Sequence, residues 1–559
     1  MKILDKLKTG QEPEKQLPQA IGKNEIAKAQ KILQEYMTCK TNLNARLKEN
    51  QQWFRERHWD EAKTKRTKDP EPVSAWLLNA IINKHADAMD NYPAPAILPR
   101  EANDEKEAET LSSILPLILE ENDFEQTYND YWYDKLIAGT CCIGVSWDKD
   151  KLNGLGDIAI TAVDLLNMYW EPGITNIQDS SNVFLLSLAS TDNLRQLYPD
   201  ANIKQASEKD YQKYQYDDKI PTENKSLVVE WYYKKNGRLH YCKYCGLKVL
   251  YATENDEKLA QTGLYEHGEY PFIFDTTFPI KGSLCGFGFV DIMKDPQMYI
   301  DKLNQALLKN AVVNAKPRFF ASRTAKIDIK KFADTDNDII EVNGTDLAQQ
   351  VRPIETSALP GVYVTLLQEK IAEIKETSGN RDVSNGGTTS GVTAASAIAA
   401  MQEASGKPSR DIIKSGYRAY AEIIRMCIEL IRQFYDEPRT FRITNDDGTF
   451  EYEEYSNNLI KPQVTGQIQS ETGLENMYRK PVFDVKVSAQ KASVYSQISQ
   501  NELAKEFYSA GFFRPDMADQ ALACVNMMDF DGKDKVIKTI SQNKTLYDIV
   551  MQQQQQMTL

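Results

Sequence analysis

Cys242-Lys-Tyr-Cys245, with His240 just before it, is the grouping in this chain whose spacing comes nearest to a metal site. A structural zinc needs four ligands, and the second pair is missing: Cys141 and Cys142 are adjacent, and His267 stands alone. In a strand, residues 240, 242 and 244 point one way and 241, 243 and 245 the other, so the two thiols would face apart. Neither a metal nor a cofactor is expected. Gly286 and Gly288 before a helical run suggest a phosphate loop, but neither GxGxxG nor GK[ST] is present. Those glycines are expected to allow a tight turn. Trp53, Phe54 and Trp59 sit among Arg55, Arg57, Lys63, Lys65 and Arg66. Such interleaving can stack on single-stranded nucleic acid, which needs an open groove, or can anchor a helix to its own domain. His85 lies on a helical run at no ligand spacing to another histidine, and is expected to be structural. No catalytic residue emerges.

The most unusual chemistry is the near-absence of it between Ser378 and Thr393. The run SGNRDVSNGGTTSGV carries Gly379, Gly386, Gly387 and Gly391, and almost no hydrophobic side chain. Glycine opens backbone angles closed to other residues, so this loop can take several shapes. Arg381 is its only cation, and Asp382 partly offsets it. Two helical runs follow, TAASAIAAMQEA and SRDIIKSGYRAYAEIIRMCIELIRQFY, with Ser405-Gly406-Lys407-Pro408 expected to kink or break them.

The elements on either side must position that loop. Upstream, Tyr363, Leu367, Ile371 and Ile374 form one apolar stripe on a helix. Further back Ile292, Pro296, Ile300, Leu303 and Leu307 do the same, in a helix ended by Lys316-Pro317. A short strand-and-loop insert, Pro317–Leu359, lies between the two. Lys302, Lys309 and Lys316 fall on about one face of the first helix. Glu369, Glu373 and Glu376 share a face of the second, with Lys370 and Lys375 beside it. Opposite signs on neighbouring helices suit packing between copies, and a solvated charged face would look the same.

Downstream, Ile413, Tyr417, Tyr420, Ile424, Cys427, Ile431 and Tyr435 are expected to form the buried edge of the long helix. Arg410, Lys414, Arg418, Arg425 and Arg432 would form a basic stripe elsewhere on it. Before the first of those two helices, the chain reads as a helix from Asn24 to about Lys68 and an amphipathic helix at Val73–Met89 closed by the turn NYPAPAILP. An acidic helical region follows at Glu101–Glu125, continued by Tyr128–Ala138. From Cys141 the period becomes two: CIGVSW, GDIAITAVD, NVFLLSLA, SLVVEWYYK, RLHYCKY and LKVLYAT are strands, with Asn236-Gly237 the clearest hairpin signal. Strand returns at Phe441–Tyr455 and Pro481–Val487, and helices follow Ala489.

The order helix, insert, helix, mobile loop, long helix, with GSLCGFGFVD leading in and TSGVTAASAIAAMQEAS closing the loop, resembles the portal proteins of tailed bacteriophages. The resemblance runs from about Trp53 to Asn543. It implies an α+β portal fold with wing, helical stem, clip and helical crown, assembled as a ring of about twelve copies around a DNA channel. On that basis residues 1–23 form an N-terminal arm, 24–288 the wing, 289–316 and 360–378 the stem helices and 317–359 the clip. Residues 379–393 form the tunnel loop, 394–489 the long kinked helix with returning wing strands, and 490–559 the crown and a low-complexity tail.

The resemblance further implies that Gly379, Asn380, Arg381, Asp382, Ser384, Asn385, Gly386, Gly387, Thr388 and Thr389 face DNA. Lys302, Lys309, Lys316, Lys370 and Lys375 would face the stem channel. In the clip, basic Arg318, Arg323, Lys326, Lys330 and Lys331 and acidic Asp334, Asp336, Asp338 and Glu341 suit a polar, exchangeable interface with the packaging motor. Implied partners are further copies of the chain, the terminase large subunit, major capsid and scaffolding proteins, neck, head-completion or tail proteins, and double-stranded DNA in transit. The implied location is the capsid portal vertex, after assembly in the host cytoplasm.

Composition fits these expectations. At 559 residues the chain predicts several domains or a large elongated subunit. A formal charge of −13 argues against tight DNA binding, for which basic surface supplies most of the affinity. Eight cysteines and a polar start, MKILDKLKTGQEPEKQ, suggest free thiols in a reducing compartment without a signal peptide. No window approaches a membrane span. The rival classes are a packaging ATPase or nuclease, which would need a phosphate-cradling loop or a carboxylate cluster, and a scaffold without a channel.

Overall fold

The structure is a computed structural model. It describes residues 21–59, 70–199, 211–214, 224–315, 318–321, 351–354, 360–379, 407–444, 450–470, 473–489, 506–511, 514, 518–527 and 536–542. The chain divides into two compact units, residues 1–88 with 95–487 and residues 89–94 with 488–559. Helices and antiparallel sheets both build the larger unit, which makes it α+β.

The expected first helix is two, α1 (Lys23–Cys39) and α2 (Thr41–Phe54). The break at Lys40 has a chemical cause. Its side chain is buried and donates to the carbonyls of Leu165 and Met168, with Tyr169 and Trp170 rings 4.9 and 4.5 Å away. Burial pulls that amine down to about 7. Beyond Phe54 the helix gives way at Glu56, whose φ is 58°. Residues 60–69, with Lys63, Lys65 and Arg66, lie outside the described residues.

A third helix, α3 (Trp76–Met89), follows as expected. The next stretch is no turn: it contains strand β1 (Pro93–Pro99), paired with β16 (Phe483–Ala489). Its prolines fix φ in the extended region, and a two-stranded pair leaves an outer edge where missing donors cost nothing. Helices α4 (Glu105–Glu121) and α5 (Phe124–Ala138) meet at Asp123, whose φ is 47°.

The six sequence-predicted strands all form. Strands β2 (Thr140–Asp148), β3 (Asp157–Ala162) and β9 (Phe272–Thr276) make one sheet in the order β3-β2-β9. Strands β4 (Met168–Trp170), β5 (Asn182–Ser190), β6 (Lys225–Lys235), β7 (Arg238–Cys245) and β8 (Lys248–Ala252) form an antiparallel meander. A short helix, α6 (Thr191–Leu197), follows β5. Between β6 and β7, Asn236 and Gly237 take φ values of 53° and 73°, the pair that a tight hairpin demands. One face of the meander buries Phe184, Trp231, Cys242 and Tyr244 against Leu33 and Tyr36 of α1; the other buries Cys245 with Leu194 and Val228. Alternation has therefore put the two thiols on opposite faces, and no thiol of the chain is in a disulfide.

Helix α7 (Phe289–Ala315) and α8 (Val362–Ser378) match the two helices expected on either side of the insert. Between them, β10 (Phe319–Ala321) pairs antiparallel with β11 (Val351–Pro353). The long helix α9 (Lys407–Phe434) begins where the Gly-Lys-Pro break was expected. It is buried far beyond one edge: besides Tyr420, Ile424, Cys427 and Ile431, it buries Ile412, Ala419, Ile423, Met426, Ile428 and Leu430. It packs on β9 and β2, and meets α5 where a Cβ at Gly416 would lie 3.0 Å from the Trp132 ring.

Arg432 corrects the basic stripe. It is 4% exposed and donates to the carbonyls of Ile460 and Pro481 and to Glu429. Hairpin β12 (Arg439–Thr444) with β13 (Phe450–Tyr455) forms as expected. A second, β14 (Gln463–Ser470) with β15 (Gly473–Arg479), had no sequence signal because its strands are polar and interrupted by Gly466. In the smaller unit, α10 (Ala518–Met527) buries Ala518, Ala521 and Val525 with Ile540.

Candidate functional site

The site begins where Gly286 and Gly288 feed α7. Neither makes a turn through a left-handed backbone; Gly282, with φ of 77°, does that. The two serve close approach instead. A Cβ on Gly286 would sit 2.1 Å from the Phe278 carbonyl oxygen, and one on Gly288 would sit 2.6 Å from that of Leu136. Gly139, with φ of 81°, closes the same contact from α5, its own Cβ position lying 2.1 Å from Phe287 carbonyl carbon. The start of α7 is thus pressed backbone to backbone against the body.

The first half of α7 is held by polar groups that apolar periodicity does not reveal. Of the expected stripe Ile300 is buried and Ile292, Pro296, Leu303 and Leu307 are half-buried; the fully buried face adds Met293 and two polar residues, Gln297 and Asp301. Asp301 is fully buried; it accepts from the Ser74 backbone N–H at 3.0 Å and lies 3.1 Å from His58 Nε2. Gln297 accepts from Leu77 N–H at 3.2 Å and donates to Asp301 and to the Ser74 carbonyl. His58 stacks flat on Trp53 at 4.1 Å, Phe54 packs on Tyr133, and Trp59 donates to the Pro72 carbonyl at 3.1 Å. The aromatics of this segment anchor it to its own body. His85, similarly, stacks on Tyr133 at 4.0 Å and is pulled below the usual imidazole range by burial.

Asn304 and Gln305 extend that support, donating to Ser74 Oγ at 3.0 Å and to the Pro70 carbonyl at 2.9 Å, and α7 also packs against α8. Tyr363, Leu367 and Ile371 are half-buried along this seam and Ile374 is buried, as the stripe predicts. The remaining faces expose large apolar groups: Val312 at 57%, Val362 at 66%, and also Leu308, Val364 and Leu366. Phe320, at the start of the insert, is 66% exposed. Lys302 and Lys309 are exposed. Lys370 pairs with Glu373 at 2.6 Å and lies 5.7 Å from the Tyr299 ring, while Lys375 lies 5.6 Å from the Trp76 ring. These two lysines lean on the subunit's own aromatics.

At the end of α8, Gly379 takes φ of 70° and caps the helix through its N–H to the Glu376 carbonyl. The other proposed loop residues, Asn380, Arg381, Asp382, Ser384, Asn385, Gly386, Gly387, Thr388 and Thr389, lie outside the described residues. So do Lys316, Arg323, Lys326, Lys330 and Lys331, and the four clip acids. Arg318 is described and exposed, its carbonyl accepting from Ile354 N–H at 2.7 Å.

Past the loop, two buried lysines grip α9. Lys84 donates to Ser409 Oγ at 2.8 Å, and Ser409 donates to Asp87 at 2.8 Å. Lys135 donates to Asp275 and, at 2.9 Å, to Ser415 Oγ; Ser415 and Tyr131 also donate to Asp275. Both clamps escaped sequence analysis, because a lysine in a helical run reads as solvated.

This anchored helical hairpin, capped by a glycine and followed by a clamped long helix, is the arrangement in which a family comparison decides. The profile described as phage P22-like portal protein matches residues 30–276 and 237–559. The chain belongs to that family. No curated protein matches. The role is that of a phage portal protein: the channel through which DNA is packaged, at the head–tail connection. Nothing favours the ATPase or nuclease. Portal proteins are structural, and the family places the chain at the virion's capsid vertex. Among the described residues no helix is long and apolar enough to cross a membrane.

Proposed function

We propose that this portal protein works as a closed ring, of about twelve copies as the resemblance implies, with α7 and α8 of neighbouring copies packed side by side around the channel. The observation that carries this is the exposed apolar surface that both helices of the hairpin keep outside their mutual seam. Exposed apolar groups grouped on one element mark an interaction site. Heterologous contacts of each copy with the next close into a ring when the rotation allows. Lys302 and Lys309 on α7 and Glu369, Glu373 and Glu376 on α8 supply opposite signs for the same contact.

Residues 379–393 then line the narrowest part of the channel, 317–359 dock the terminase motor and later the neck or tail, and 490–559 face the capsid interior. Of the proposed stem lysines, Lys302 and Lys309 are exposed, whereas Lys370 and Lys375 are engaged by Glu373, Tyr299 and Trp76. The protein catalyses no reaction and takes no cofactor. Capsid and scaffolding proteins and DNA complete its partners.

Mass photometry of purified protein tests the ring. Wild type should appear as one large species, and Val312→Asp with Val362→Asp should shift it to subunits with unchanged circular dichroism. A monodisperse wild-type monomer at micromolar concentration, at low and moderate salt, would refute the ring.

A further inference from the structure

Helix α8 meets α7 along the stripe from Tyr363 to Ile374, of which Ile374 alone is fully buried. Apolar burial is non-directional, so half-buried contacts hold a helix against its neighbour without fixing its rotation about its own axis. Two lysines flank the stripe. Lys370 lies about 55° to one side of its centre and Lys375 about 85° to the other. Each reaches an aromatic ring of a different element: Lys370 lies 5.7 Å from the Tyr299 ring of α7, and Lys375 lies 5.6 Å from the Trp76 ring of α3. Lys370 also pairs with Glu373 within α8, at 2.6 Å. Trp76 thus ties the last turns of α8 to an element other than α7.

Trp76 is itself held in place by α7. It is half-buried at the start of α3, and the backbone on either side of it is bound to buried groups of the stem base. The Ser74 N–H donates to Asp301 at 3.0 Å, the Leu77 N–H donates to Gln297 at 3.2 Å, and Asn304 donates to Ser74 Oγ at 3.0 Å. Shifting this segment would leave the buried Asp301 and Gln297 short of partners, which is costly. The indole is therefore carried at a set place beside α7, and through Lys375 it sets the rotation of α8. In that rotation Val362, Leu366, Glu369, Glu373 and Glu376 fall within about 80° of one another, centred about 135° from the stripe. All five are exposed.

We infer that Trp76 is a positioning residue of the ring contact: through Lys375 it turns α8 so that this far face meets the next copy. The inference rests on the ring reading and adds to it the residue that aims the contact. A cation over an indole suits the task, because the attraction acts only within about 6 Å of the ring centre and is lost when the helix turns. Lys370 on the opposite flank, against Tyr299, resists rotation the other way.

A double-variant cycle tests it, with the concentration of half-assembly read by mass photometry of a dilution series and folding by thermal melts. Trp76→Leu and Lys375→Met should each raise that concentration about two- to fivefold, the weight of one cation–π contact. The double variant should be no worse than either single, because all three lack the same contact. Lys375→Arg should assemble at the wild-type concentration, since a guanidinium stacks on the same ring. Should Trp76→Leu melt early, Trp76→Tyr takes its place in the cycle with a smaller rise, a phenol ring being the weaker partner. Unchanged half-assembly in both single variants would overturn the inference and leave the stem ring intact. An effect of Lys375→Met without one of Trp76→Leu would also overturn it, assigning the lysine to direct contact with the next copy. So would singles whose effects add in the double variant. A wild type that forms no ring at any concentration would sink the ring reading itself.

Discussion

Lys135 of α5 and Asp275 of β9 form an ion pair in the centre of the larger unit, with side chains 0% and 7% exposed. Ser415 joins them from α9, so one carboxylate ties three elements at the start of the long helix. Removing one partner of such a pair leaves an uncompensated buried charge, at a cost of about 3–5 kcal/mol. Lys135→Met should lose that much in urea unfolding, and Lys135→Met/Asp275→Asn should recover a large part of it. A single variant within 1 kcal/mol of wild type, by the ordinary scale of surface changes, would show that the pair is dispensable.

Gly288 allows α7 to meet α5 backbone to backbone. Gly288→Ala should cost more than about 3 kcal/mol, the upper end of overpacking, because its Cβ meets carbonyl and amide atoms that cannot rotate away. Gly361, ahead of α8, has nothing within 4 Å of its Cβ position. Gly361→Ala should melt within a degree or two of wild type, and equal melting of the two variants would refute the close-approach role.

His267 sets an acid limit. Its Nδ1 accepts from the Glu269 N–H at 3.0 Å, which requires the neutral ring. Burial lowers its pKa to about 4, with Lys480 and Lys234 adding to the shift and Glu429 opposing it. An unfolded histidine binds its proton near 6.5, so between about pH 6.5 and 4 the unfolded chain takes up a proton that the folded one does not. Stability from this group is complete above about 6.5 and declines as pH falls towards 4. Thermal melts of His267→Asn should show a shallower decline over that window than wild type; parallel curves would exclude the residue.

The loop of residues 379–393 should touch DNA without holding it. Ser384→Lys, Asn385→Lys and Thr388→Lys together should leave assembly unchanged and slow DNA passage, most severely at low salt, since each phosphate contact adds salt-dependent affinity. Packaging at the parental rate at low ionic strength would place the loop away from DNA.

Much of this protein is legible in its sequence. Alternation around Cys242 and Cys245 separates their thiols, Asn236-Gly237 makes its hairpin, and the stripe from Tyr363 to Ile374 seats α8 on α7. These succeed because each depends on a backbone period or on one residue's own dihedral preference, which neighbours cannot change. The family, too, was carried by local motifs in fixed order.

Tertiary structure alone decided the rest. Lys40, Lys84 and Lys135 drew no notice in the sequence and Arg432 was expected on a basic stripe; all four are buried, because each is satisfied by a carbonyl, hydroxyl or carboxylate distant in sequence. Gly286 and Gly288 read as turn residues and are contact residues, since the backbone they admit, Phe278 and Leu136, arrives from elsewhere in the chain. Periodicity reports which face of an element is apolar; which polar groups may join that face depends on partners that only folding brings within hydrogen-bond reach.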